Sequence, residues 1–257
     1  MSNHLPYDKK LRVLGCLTEG CSIRSTMRMT GVNRETIGTF LSRMGLASVQ
    51  LMDSKMRDLS CAKVQVDEMW SYIGKKERWM RSSDPENFGN TYTWIAICEE
   101  TKMVPAFYVG KRTSLDATEF LDDLAGRIVG EFQISTDKFA AYSAVIKKVF
   151  GDRVKHVHSA SNSYVERQNM TLRMNCRRYS RHTNAFSKSY EQHVAATALH
   201  FASYNFCRKN RAVKTAPAVA AGIADHVWTL EELLTIESPG RRSGRAQDGT
   251  ADATGSH

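Results

Sequence analysis

Along residues 8 to 45, apolar side chains recur at the three- and four-residue spacing of amphipathic helices. In DKKLRVLGCLTEG, Leu11, Leu14 and Leu17 stand three apart on one face, and Gly20 closes the segment. Ser22 is placed to cap a second helix over SIRSTMRMT. A connection, Gly31-Val32-Asn33, leads to RETIGTFLSRMG, where Asn33 can cap a third helix striped by Ile37, Phe40, Leu41 and Met44. Two short helices joined by a three-residue turn containing Gly have helix-turn-helix dimensions. The second of the pair would enter a DNA major groove, presenting Arg34, Glu35, Thr36 and Thr39 from its first turns. A small helical bundle used for protein contacts is the plainer alternative for the same pattern.

Residues 46 to 60 are a polar connection without strong periodicity, and a boundary falls there. From residue 63 the pattern becomes that of strands: KVQVDEMWSYI, then a long polar loop, YTWIAIC and, after EETK, VPAFYVG. SLDATEFLDDLAGRIVG carries Leu115, Thr118, Leu121, Leu124 and Ile128 at helical spacing, with Ser114 as its cap. FQISTD reads as a strand, and FAAYSAVIKKVFG as a helix with Phe139, Tyr142, Ile146 and Val149 on one side. VKHVH is a further strand, NSYVERQNMTLRMNCRRYSR a basic helix and SKSYEQHVAATALHFASYNF a last long helix. The order β-β-β-α-β-α-β-α predicts an α/β fold: a ribonuclease-H-like mixed sheet flanked by helices, preceded by a small all-α helix-turn-helix domain. The expected divisions are 1–48 for the helix-turn-helix and 49–62 for a linker. Residues 63–207 form the α/β domain, and 208–237 a basic extension with one short helix at TLEELL. The tail 238–257 has the small, polar composition of a disordered segment.

Charge narrows the partners. The chain of 257 residues carries a net charge of +9, which favours phosphate-rich ligands and hence nucleic acid. No stretch approaches the roughly 18 uninterrupted apolar residues of a membrane helix, and MSNHLPYDKKLRVL lacks the apolar core of a secretory signal. A cytoplasmic protein with no membrane partner is therefore expected. The six cysteines include no CxxC pair, so reduced thiols are expected rather than a structural zinc.

Strands tend to exclude acids, yet Asp67 and Glu68 lie inside VQVDEMWSYI. Asp137 ends the strand in QISTD, where a helix N-cap is the plainer alternative to a site role, and Glu166 lies early in the basic helix. In the expected sheet the first and fourth strands are neighbours, so Asp67 and Asp137 can approach one another, and a helix crossing that edge can add Glu166. Alternation sends Glu68 to the opposite face, leaving Asp67 as the acid expected in the site. Converging carboxylates repel unless cations screen them, which implies hard divalent ions, Mg²⁺ or Mn²⁺. Two such ions about 4 Å apart serve phosphodiester displacement. Between Arg167 and Tyr190 there are six Lys or Arg residues and no acid. Arg167, Arg173, Arg177, Arg178 and Arg181 would thus form a phosphate-binding surface, with Arg173 almost two turns beyond Glu166 on one face. His156, His158 and Asn169 could orient a phosphate or a water.

VDEMWSYIGKK, ISTDKFAAYS, HVHSASNSYVERQNMTLR, SRHTNAFSKSYEQH and SYNF together resemble the transposases of the IS1 family of bacterial insertion sequences. The likeness spans roughly 63 to 207, and APAVAAGIADHVWTLEELL is similar in kind. The resemblance implies a catalytic Asp-Asp-Glu triad on Asp67, Asp137 and Glu166 that binds two metal ions, with Arg173 as the basic residue seven positions on. It further implies cleavage and strand transfer at the terminal inverted repeats of the element, on nucleoid DNA and by a homo-oligomer. Well-known members carry a cysteine-bearing zinc finger ahead of their helix-turn-helix, and this chain lacks that cysteine set. A ribonuclease-H-like nuclease without strand transfer, and a non-catalytic DNA-binding regulator, are the competing readings.

Overall fold

A computed structural model describes residues 5–137, 139–158, 162–181 and 183–237. The expected tail, 238–257, lies outside the described residues. The N-terminal helices are α1 (Tyr7–Thr18), α2 (Ile23–Thr30) and α3 (Arg34–Lys55). The caps read from the sequence form: Ser22 Oγ accepts from the Ser25 N–H at 3.1 Å, and Asn33 Oδ1 accepts from the Glu35 N–H at 2.8 Å. Gly31 ends α2 at φ 68°, a left-handed conformation that glycine adopts without strain.

One expectation fails here. The connection placed at 46–60 is helical as far as Lys55, so α3 has 22 residues instead of ending near Gly45. Gly45 is a contact, not a stop: a Cβ there would come within 2.4 Å of the Ala195 backbone. Ala195 belongs to the long helix α7 (Tyr190–Phe206), and α3 packs along it, with Gln192 Nε2 of α7 donating to the Gly38 carbonyl at 3.0 Å.

The remaining strands are β1 (Leu59–Ser60), β2 (Lys63–Ile73), β3 (Gly89–Cys98), β4 (Phe107–Gly110), β5 (Ile128–Val129), β6 (Phe132–Thr136) and β7 (Val154–His158). Five of them make one sheet in the order β4-β3-β2-β6-β7, while β1 and β5 form a short parallel pair. β2, β3 and β4 are antiparallel neighbours, and β6 and β7 run parallel to β2. An antiparallel meander extended by two parallel crossover strands is the ribonuclease-H-like topology, as the element order predicts.

The crossovers are α4 (Ser114–Ala125) and α5 (Ala140–Phe150), followed by α6 (Ser163–Asn175). α4 and α5 cover one face, where buried Trp94 of β3 meets Phe120 and Tyr142 at ring separations of 6.0 and 5.8 Å. α6 and α7 cover the other, where Thr93 Oγ1, Tyr179 Oη and Thr197 Oγ1 form a buried chain of hydrogen bonds. Each fully buried aromatic or aliphatic side chain stabilises the fold by roughly 1.5–3 kcal/mol. On α4 the cap is Thr113 and the buried face is Ala117, Phe120, Leu121 and Leu124; Leu115 is 71% exposed. The basic helix ends at Asn175, and Arg177–Tyr179 forms a separate 3-10 turn. At the C-terminal end are α8 (Pro217–Ala220) and α9 (Leu230–Thr235), the latter closed by a capping box between Thr229 and Glu232. All six cysteines are free, and no helix among the described residues is long and apolar enough to cross a membrane.

Candidate active site

β2 and β6 pair over only three residues: Lys63 with Gln133, Val64 with Ile134 and Gln65 with Ser135. Beyond Gln65, β2 continues against β3 alone. Carrying the β2–β6 register forward two residues brings Asp67 level with Asp137, just past the last residue of β6. Gln65 also fixes α6, since its Oε1 accepts from the N–H groups of Tyr164 and Val165 at 2.9 and 3.1 Å. One helical turn further on, Asn169 Nδ2 donates to Asp67 Oδ2 at 2.7 Å.

Glu68 faces the opposite layer, as alternation requires, but it does not leave the site. Its Oε1 accepts from Arg112 Nε at 2.5 Å and its Oε2 from Tyr142 Oη at 2.7 Å. Arg112 also reaches Asp137 Oδ2 at 3.4 Å and lies 4.4 Å from the Phe139 ring centre. One carboxylate oxygen from each of Asp67, Glu68 and Asp137 lies within 4.8 Å of the others. The expectation that only one of the adjacent acids could point to the site is therefore corrected. At a strand edge left open by a short neighbour, side chains from both faces bend around to one point. Asp137 is not the helix cap, a position Phe139 holds, although Asp137 Oδ1 accepts the Phe139 N–H at 2.8 Å.

Crowding shows in the protonation equilibria. Burial, and next the Glu68 carboxylate, push the Asp67 carboxyl up to about 6. Burial also raises Glu68, outweighing the Tyr142 hydrogen bond and the Arg112 guanidinium. Tyr142, buried against Glu68, is held well above its ordinary range. Asn169 Oδ1, buried beside this group, has no hydrogen-bond partner among the described residues. An all-oxygen donor set with repelling carboxylates and a spare carbonyl oxygen fits a hard divalent cation.

The other expected residues are distributed as follows. Glu166 is exposed on the first turn of α6, three residues before Asn169 on the same side, and its carboxylate is not one of the gathered oxygens. Arg167 and Arg177 are exposed. Arg173 donates to the Tyr179 carbonyl at 3.2 Å, and Arg178 turns inward to Ser187 Oγ at 3.3 Å. His158 has Nδ1 3.3 Å from the Asp137 carbonyl oxygen, and His156 is bonded to Thr136 Oγ1 at 2.9 Å. Arg34 and Thr39 are exposed and Thr36 half-buried at the start of α3. Nothing in the sequence assigned Gln65, Arg112 or Tyr142 to the site, although Tyr142 lies on the apolar side of its helix. Gln65 has the same face as Asp67 by strand parity, which is a signal, whereas Arg112 lies in a loop with none.

Sheet order and acid cluster together define a ribonuclease-H-like protein with a carboxylate centre able to hold a cation. The chain belongs to the IS1 transposase family, which it matches over residues 59–206. It is 29% identical over 130 residues to the insertion element iso-IS1n protein InsB of Shigella dysenteriae, spanning 50% of this chain and 86% of that protein. Among solved structures it is similar to the HTLV-2 integrase catalytic core domain in complex with magnesium (TM-score 0.44, 14% identity, 64% of this chain and 99% of that one). A chain of the simian T-cell lymphotropic virus intasome in complex with PP2A regulatory subunit B56 gamma gives a TM-score of 0.43 at 16% identity. That match covers 63% of this chain and only 54% of the other.

Proposed function

We propose that the protein is a metal-dependent DNA transposase that cleaves at the terminal inverted repeats of its element and joins the freed end to target DNA. The observation that carries this reading is the convergence of Asp67 and Asp137 beside Asn169 at the open end of the sheet, in a chain of this family. Asp67, Asp137 and Glu166, the last one turn before Asn169, would hold Mg²⁺ or Mn²⁺, two ions in all. Bound there, such ions supply positive charge to the attacked phosphodiester and to the attacking and leaving oxygens.

The chain's own groups do the rest. Asn169 holds one oxygen of Asp67. Arg112 and Tyr142 fix Glu68 against the pair, so that its charge is spent within the protein. Exposed Arg167 and Arg177, with Arg173, receive the phosphate backbone, and His158 steadies the Asp137 main chain. Water attacks the phosphodiester at the element end and releases a 3′-hydroxyl; that hydroxyl then displaces a strand at a target phosphodiester. Arg34, Thr36 and Thr39 on α3 read the terminal repeat. Two ends must be held at once, so the working form is a homo-oligomer on nucleoid DNA in the bacterial cytoplasm.

The test is DNA bearing the terminal repeat, incubated with Mg²⁺, Mn²⁺ or EDTA. Metal-dependent nicking at the repeat boundary is expected, and is expected to disappear in Asp67→Asn, Asp137→Asn and Glu166→Gln. Binding of the repeat without cutting in either metal would overturn the enzyme reading in favour of a DNA-binding regulator. Cutting that survives Glu166→Gln would remove that residue from the triad.

A further inference from the structure

The open edge of β2 leads from the acid cluster to a second site. Beyond Asp67, the side chains of Trp70 and Tyr72 meet the segment that follows α6, which is tied down where the Gly74 N–H donates to the Ser187 carbonyl at 2.8 Å. Between them lies a cavity of about 480 Å³, within the range of pockets that bind small molecules. One wall is aromatic: Tyr72 stacks on Phe186 at 4.8 Å, and Trp70 lies 5.8 Å from Tyr72. The other is cationic, made by Lys76, Arg173, Arg178 and Arg181, and none of the described residues lining the cavity is acidic.

Among the described residues no acid pairs with these cations. Among the described residues Arg178 reaches only a serine hydroxyl and Arg173 only a backbone carbonyl. Burial lowers the affinity of both guanidinium groups for their protons, and for Arg173 the neighbouring Arg181 adds to the effect. A half-buried guanidinium without an anion is unfavourable, and an incoming phosphate would relieve it. Paired duplex would bring phosphate but leave the rings unused, since its bases are already stacked on one another. An unpaired nucleotide satisfies both walls, because every base has a face that can stack on an aromatic ring.

We propose that this cavity takes an unpaired nucleotide of the DNA strand bound at the acid cluster, its base against Trp70, Tyr72 and Phe186 and its phosphate on Arg173, Arg178 and Arg181. The proposal rests on the reading of the protein as a DNA-processing enzyme. Trp70 is three strand residues from Asp67, roughly 10 Å, which places the captured base within a few nucleotides of the reacting phosphate.

The test uses the full chain in EDTA, so that nothing is cut, with two fluorescein-labelled duplexes of the same sequence. One is fully paired; the other ends in a single-stranded extension of three thymidines. Fluorescence anisotropy is expected to show the extended duplex bound about tenfold more tightly, the order that stacking of one base provides. Trp70→Ala and Phe186→Leu are expected to bring the two duplexes to equal affinity. Equal binding of both duplexes by the unaltered protein would overturn the proposal while leaving the DNA reading intact, and it needs no variant to fold. Binding of neither duplex would overturn both. Replacing one thymidine by 2-aminopurine adds a direct readout: its fluorescence is expected to be quenched on binding, and unchanged fluorescence would exclude stacking. Thymidine monophosphate at the concentration of the duplex is expected to displace nothing; displacement would overturn the strand assignment in favour of a free nucleotide.

Discussion

Asp67→Asn is expected to make the metal-free protein more stable at neutral pH while destroying its site. The wild-type carboxyl is moved from its ordinary 3.8 to about 6 by burial and by Glu68. Once ionised in the fold, it costs roughly 2–3 kcal/mol relative to the unfolded chain. Because the folded-state value is the higher one, the folded protein binds more protons between about pH 4 and about pH 6. Stability therefore falls as pH rises through that window, and the penalty is complete above it; below pH 4 both states are protonated and the penalty vanishes. Asparagine has the same shape, carries no charge, and can still accept from Asn169 through its own Oδ1. At ~2–4 °C per kcal/mol for a chain of this size, the variant should melt roughly 5–10 °C higher than wild type at pH 8 in EDTA, and no higher at pH 4. Added Mg²⁺ should raise the wild-type midpoint, since a ligand of the native state stabilises it, and should leave the variant nearly unmoved. Thermal unfolding followed by circular dichroism across that pH range is sufficient. A variant no more stable than wild type at pH 8, or a gap that persists at pH 4, would refute the crowding of carboxylates inferred from the structure.

Two further outcomes test neighbouring contacts. Asn169→Ala removes the amide from Asp67 Oδ2 and should weaken Mg²⁺ binding by about tenfold or more in titration calorimetry; unchanged affinity would mean the amide orients nothing. Gly45→Val forces a side chain into the Ala195 backbone and should cost about 1–3 kcal/mol; an unshifted melting midpoint would show that α3 and α7 do not meet there.

Much of the fold is local information. Ser22 and Asn33 cap the helices that their positions predict, and the alternation in KVQVDEMWSYI and YTWIAIC forms the paired centre of the sheet. Asp67 stood out because an acid in a strand needs a reason, and Asp137 because it follows a short strand expected beside the first. The failures are equally physical. α3 continues past Gly45 on Ala47, Ser48, Leu51 and Met52, a face too small and mixed to announce a helix core until α7 is laid against it. Leu115 fits the apolar spacing of α4 yet faces solvent, because spacing defines a stripe while the sheet decides which stripe is covered.

The acid centre divides in the same way. Sequence alone determined which residue types were available and which strands carried them, since hydrophobic periodicity and the exclusion of charge from strands act over a few neighbouring residues. Only the tertiary structure decided that Glu68 joins Asp67, that Arg112 and Tyr142, 44 and 74 residues from Glu68, hold it there, and that Glu166 stays outside the gathered oxygens. Those outcomes follow from β6 pairing with only three residues of β2, which leaves the edge open to both faces. No local pattern encodes where a neighbouring strand stops.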